Sequence, residues 1–206
     1  GKYSGYFTGG ESSGVINTVS RLDFDTETNH LPGNNLVNGK GRHSTVSNGQ
    51  FGYIVSGIPS SNSEIQKFDF NNEVVSSTPV TVSAVEWSSG VQGGASLRSF
   101  TTKTIGYIFG GNEPARNSYV KRMDFSTGTV ASPPMRLASA AIAVRGISNH
   151  NYGYTLGGQH QQGTPPPSNP NNRESRMQRI DFAVENVSVF AGATETAYNN
   201  TIGEPL

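Results

Sequence analysis

Apolar and polar positions along this chain fall into four copies of one series of short patterns. Each copy opens with a Gly-Tyr pair and an apolar run that halts at small residues: Gly5-Tyr6-Phe7-Thr8-Gly9-Gly10, Gly52-Tyr53-Ile54-Val55-Ser56-Gly57, Gly106-Tyr107-Ile108-Phe109-Gly110-Gly111 and Gly153-Tyr154-Thr155-Leu156-Gly157-Gly158. Near-continuous apolar character over so short a run describes a strand buried on both faces. Further on comes a tetrad in which polar and apolar positions alternate: Arg21-Leu22-Asp23-Phe24, Lys67-Phe68-Asp69-Phe70, Arg122-Met123-Asp124-Phe125 and Arg179-Ile180-Asp181-Phe182. A period of two predicts a strand with one face inward. Turn-forming residues mostly follow Asp-Phe, and a more variable strand comes next, as over residues 73–82 and 128–132. A further strand is predicted ahead of the next Gly-Tyr, over 42–47, 97–102 and 138–147, so that each copy supplies four strands.

Successive Gly-Tyr pairs lie 47, 54 and 47 residues apart, the period of propeller blades of about 40–50 residues. The predicted fold is therefore all-β, a single domain over residues 1–206 with about four four-stranded blades at about 5–51, 52–105, 106–152 and 153–206. Unit 1 lacks the strand that precedes Gly-Tyr elsewhere, while the tail beyond Phe182 has room for two strands, at about 186–191 and 195–202. The second is expected to pair beside residues 5–10 and close the ring, removing an open edge. The alternative is a segment of a longer array.

Composition narrows the chemistry. Apolar residues make up 33% and charged residues 15% of the 206, and the balance is rich in turn formers, which suits many short strands. Lys plus Arg equals Asp plus Glu at 15 each, so no basic field exists to hold a phosphate backbone, and nucleic acid is an unfavoured partner. With no cysteine, disulfides, thiolate catalysis and sulfur-ligated zinc are excluded. No apolar stretch has the length of a membrane span, so no membrane insertion is expected.

The repeated Asp23, Asp69, Asp124 and Asp181 could be imagined as a ring of catalytic or metal-binding carboxylates. Each sits two residues from a basic side chain on the same strand face and ahead of a turn, so capping that turn or pairing with Arg21, Lys67, Arg122 and Arg179 accounts for them as blade-building residues. The histidines, His30, His43, His150 and His160, show no ligand spacing, and Glu86, Glu113, Glu174 and Glu195 form no paired-carboxylate signature. Phosphate-loop, Gly-x-Ser-x-Gly and His-Glu-x-x-His motifs are absent. No catalytic residue, metal site or cofactor is assigned.

Two connections break the period. Residues 82–95 carry Trp87, the only Trp, among Gly and Ser, and residues 160–176 insert Gln161-Gln162-Gly163, Pro165-Pro166-Pro167 and Asn169-Pro170-Asn171-Asn172. Insertions in repeat folds collect in loops on one face, often the binding face. Trp87, His160, Gln161, Pro166 and Asn171 are thus the candidate contacts for a ligand or partner, against a plain packing role for Trp87 and a solvated loop for the rest.

The small-residue pair after an apolar strand, at this period, resembles the kelch repeat. The third unit, with Val120-Lys121-Arg122-Met123-Asp124-Phe125, Ser132-Pro133-Pro134-Met135-Arg136-Leu137-Ala138 and Ser148-Asn149-His150-Asn151-Tyr152-Gly153-Tyr154, is similar to kelch-like repeats in virion-associated proteins of bacteriophages, particularly those of cyanobacteria. Departures are Phe in place of Tyr after every Asp, Ser56 in place of Gly, and a missing Ser-Pro element in unit one. The resemblance implies a kelch-like β-propeller borne on a virion, assembled in the host cytoplasm as a capsid or tail appendage. It implies no particular ligand; because the longest insertion is Gln, Pro and Asn with few ionisable groups, the expected role is a non-enzymatic structural or adhesive one, with other virion proteins, further copies of itself or a host surface glycan as partners. The alternatives are a glycan-active enzyme on the same scaffold and a cellular kelch-type interaction domain.

Overall fold

A computed structural model of the protein describes residues 3–41, 43–55, 57, 64–81, 98–101, 104–109, 118–138, 141–142, 145–149, 151–156, 159–160 and 174–198, and the account below is confined to them. They contain strands and no helix. Unit 1 forms a three-stranded sheet from β1 (Ser4–Thr8), β2 (Val19–Asp23) and β3 (Thr28–His30). Unit 2 forms the sheet β4 (Ser44–Ser47), β5 (Phe51–Val55), β6 (Glu64–Asp69) and β7 (Val74–Thr81). Unit 3 contributes β8 (Arg98–Thr101), β9 (Ile105–Phe109), β10 (Val120–Asp124) and β11 (Thr129–Ala131). After β12 (Ala141–Ile142), unit 4 contributes β13 (Arg145–Ser148), β14 (Tyr152–Leu156), β16 (Glu174–Asp181) and β17 (Asn186–Tyr198), while β15 (Gln159–His160) pairs with β12 as a two-stranded ribbon. All the pairings are antiparallel, and each sheet is a meander in chain order.

One register is kept in all four sheets. The Tyr of each Gly-Tyr lies opposite the cation of its tetrad: Tyr6 and Arg21, Tyr53 and Lys67, Tyr107 and Arg122, Tyr154 and Arg179. The Gly-Tyr strands β5 and β9 are interior strands and buried from their second residue onward, as their continuous apolar runs predict. Strand β1 carries the same motif but is an edge of its sheet, and its residues are only partly buried.

Apolar side chains gather between sheets rather than in one central mass. Val19, Leu36, Ile54 and Phe68 fill the space between the first and second sheets. Val46, Tyr53, Val55, Ile65, Ile108 and Met123 do so between the second and third, and Tyr107, Phe109, Val120, Met135, Leu137 and Ile180 between the third and fourth. The leading strands β4 and β13 both pack against β8. Each unit thus buries its apolar faces only against its neighbours in sequence, the organisation of a repeat protein.

Two expectations are corrected. Residues 195–198 do not pair beside β1: the tail continues as one strand, β17, whose far end reaches Glu174 through two register shifts. The long β16 offers that tail a partner along its whole length, and residues 199–202 lie outside the described residues. Within the strand expected over 138–147, β12 and β13 keep one register, Ala141 opposite His160 and Arg145 opposite Leu156, and residues 143–144 lie outside the described residues. The insertion of unit 4 is shorter than 160–176, since His160 ends β15 and residues 174–176 open β16.

Candidate functional site

Trp87, Gln161, Pro166 and Asn171, with Glu86, Glu113 and His150, lie outside the described residues. Of the candidate contacts only His160 is placed, at the end of β15 opposite Ala141. Glu174 and Glu195 are ladder positions of β16 and β17. Among the described residues no group of His, Asp and Glu is arranged to hold a metal ion.

The repeated residues build the units. A Cβ on Gly5, Gly52 or Gly106 would lie 3.0 Å from the ring edge of Phe24, Phe70 or Phe125, the tetrad Phe of the same unit; the Gly of Gly-Tyr is the seat for that ring. Each Asp caps the turn that follows. Asp23 Oδ1 accepts the backbone N–H of Asp25 and Thr26, Asp124 Oδ1 those of Ser126 and Thr127, Asp181 Oδ1 those of Ala183 and Val184, and Asp69 Oδ1 that of Asn71. Hydrogen bonds from Thr26 and from Ser126 hold the Asp23 and Asp124 carboxyls below their usual range. These Asx turns are the local structure that Asp favours.

Of the two roles expected of the repeated Asp, capping is present in all four units, while Arg21 and Arg122 find closer carboxylates in the next unit. Arg21 reaches Asp23 only at 3.9 Å but donates at 2.9 Å to Glu73 of the next unit, which also accepts at 2.9 Å from the Tyr6 hydroxyl. Arg122 and Tyr107 donate likewise to Glu185, at 3.2 and 3.3 Å. Tyr6 stacks on Phe70, Tyr53 on Phe125 and Tyr107 on Phe182, with centroids 5.2, 5.4 and 5.0 Å apart. Every joint therefore stacks a Tyr of one unit on the Phe of the next, and at two of them an Arg also reaches the next unit's downstream turn. Between units 2 and 3 the turn residue is Gly128, no carboxylate is offered, and Lys67 instead lies over Phe51 at 3.5 Å.

Backbone geometry explains the acceptor. Glu27, Glu73, Gly128 and Glu185, each four residues after the tetrad Asp, all have left-handed φ values of 53°, 58°, 68° and 48°. Non-Gly residues rarely adopt that region. At the two Glu joints the cost comes with a carboxylate turned towards the preceding unit. Burial alone would raise the Glu73 carboxyl, but the bonds from Arg21 and Tyr6 outweigh it and hold it below the usual range. Burial first, and then the facing carboxylate, push Tyr6 and Tyr107 up to about 12. The sequence carried a signal for this in Asp-Phe-x-x-Glu, found three times, with Gly at the same place in the fourth copy.

Buried amides make a second set of cross-unit bonds. Gln66 accepts from the Val37 backbone and donates to Asn38 O, and Gln178 accepts from the Ala138 backbone. Beside the first set, Lys40 is fully buried with Nζ 3.5 Å from Glu64 Oε2; burial lowers its pKa, partly opposed by Glu64. His43 meets Thr8 Oγ1 at 3.0 Å, and burial together with Lys40 pushes its imidazole down to about 4. A cleft of about 450 Å³ opens between β1 and β4–β5, lined by Tyr6, Thr45, Val46, Tyr53 and Phe70 among others. Among the described residues, hydroxyls and rings line it, with no carboxylate or ammonium. Comparison with known proteins found no matching family model and no matching curated protein.

Proposed function

We propose that the four units are kelch-like blades of a β-propeller and that the protein is a non-enzymatic structural or adhesive module of a virion, a capsid or tail appendage. In this reading it contacts neighbouring subunits or a host surface glycan through the connections that do not repeat. The observation that carries the non-enzymatic reading is the use made of the repeated ionisable side chains. Asp caps turns, while Tyr, Arg and Glu tie one unit to the next, so the repeat chemistry is accounted for by construction. A specific task then falls to residues 82–95 around Trp87 and 161–173, since loops on a rigid scaffold are where binding usually resides. The virion assignment rests on the resemblance of the third unit to phage kelch-like repeats.

Trp87→Ala and a shortened 161–173 loop test it, with attachment to host cells and incorporation into particles as the readouts. Both variants should keep the wild-type melting profile and lose attachment or incorporation. Unchanged behaviour of both variants overturns the contact role, and glycan turnover abolished by one carboxylate substitution overturns the non-enzymatic reading.

A further inference from the structure

All three joints stack a Tyr on a Phe and two of them add an Arg–Glu pair; the first and last units carry the two halves of that arrangement with no partner ring or ion pair from another unit among the described residues. In unit 4 the donor half is complete. Tyr154 stands opposite Arg179 as Tyr6 does opposite Arg21. Among the described residues no ring of another unit stacks on Tyr154, and Arg179 has no carboxylate. Its guanidinium lies over Tyr152 and Phe190 of its own sheet, at 4.9 and 5.6 Å. In unit 1 the acceptor half is equally complete. Phe24 follows the turn-capping Asp23 and is 54% exposed, whereas Phe70, Phe125 and Phe182 are stacked by the preceding Tyr. Glu27 has the left-handed backbone of Glu73 and Glu185, yet it is exposed and makes no ion pair among the described residues.

Residue types match as well as shapes. Where the cation is Arg, the next unit supplies Glu; where it is Lys67, the next unit supplies Gly128. Arg179 follows the Arg pattern and requires Glu, which unit 1 carries. Among the described residues no strand of the first sheet makes an extended contact with the fourth, and the two halves do not meet there. We propose that unit 1 of a second copy of this chain docks on unit 4. Phe24 then stacks on Tyr154, and Glu27 accepts from the Tyr154 hydroxyl and the Arg179 guanidinium. The contact is heterologous, so the chains associate head to tail, closing where the rotation allows. The inference stands apart from the loop-contact reading, and failure of the attachment assay leaves it intact.

Sedimentation of the purified full chain over a range of concentrations, with Glu27→Arg and Arg179→Glu prepared singly, provides the test. Wild type should show a mass above the monomer that grows with concentration. Each variant should melt like wild type and lose that association by at least about tenfold, because two like charges meet at the contact. An equimolar mixture of the two variants should regain it, since each carries the charge that the other's open face needs. Three results overturn the proposal: a wild type monomeric at every concentration, association that persists in the single variants, or a mixture that fails to associate. Destabilisation of each variant without rescue on mixing would assign the fourth joint to closure within one chain.

Discussion

At the scale of single residues, His43, Glu64, Glu73, Tyr6 and Tyr107 have shifted titration where units meet, which gives stability a defined pH dependence. His43 is held near 4, below the ordinary 6.5 of an unfolded histidine, so between those values the unfolded chain binds the additional proton. Its contribution is complete above about pH 6.5 and is lost as pH falls towards 4, at most about 3 kcal/mol. The carboxyls of Glu64 and Glu73, also held low, act in the same direction. At the alkaline end the sign reverses. Tyr6 and Tyr107 ionise near 12 when folded and near 10 when unfolded, so stability falls from about pH 10 upward. Urea midpoints measured from pH 4 to 8 should therefore rise with pH, and His43→Gln should flatten the rise between 4 and 6.5.

Elements tell how much was legible beforehand. The Gly-Tyr and tetrad strands and the turns after Asp-Phe followed from periodicity, because their side chains are fixed by one sheet. What was missed depends on two sheets at once. Arg21 and Asp23 share a strand face, so pairing them was the local inference, but Glu73 of the next unit gives Arg21 a shorter and better aligned partner. Likewise Ala191-Gly192-Ala193 read as an end of a strand, and pairing to β16 carried β17 through it. The joint between units 2 and 3, with Lys67 and Gly128, is the one of the three without a carboxylate. Installing the pair found elsewhere, Lys67→Arg with Gly128→Glu, should show a favourable coupling of about 0.5–1 kcal/mol in urea midpoints, set against the strain that Gly128→Glu alone incurs at its left-handed φ of 68°. The two changes should be more than additive in a double-mutant cycle.

For the whole molecule, the core is a set of inter-sheet layers, so a unit removed from its neighbours exposes both apolar faces. A peptide spanning residues 98–138 should show no cooperative thermal transition by circular dichroism, while the full chain melts cooperatively. A sharp transition in that fragment would mean that each sheet is stable alone and the layers contribute little.

The turn residue four places after each Asp also sets rules for how such a chain can gain or lose units by recombination. Excising residues 106–152 would bring Tyr53 and Lys67 against Phe182 and Glu185, giving Lys67 a carboxylate it does not have now. Excising residues 52–105 would instead set Tyr6 and Arg21 against Phe125 and Gly128, keeping the ring stack and leaving the guanidinium without an acceptor. Copies of one unit are therefore not interchangeable in order, and in-frame deletions should be tolerated according to which turn residue they bring next to which cation.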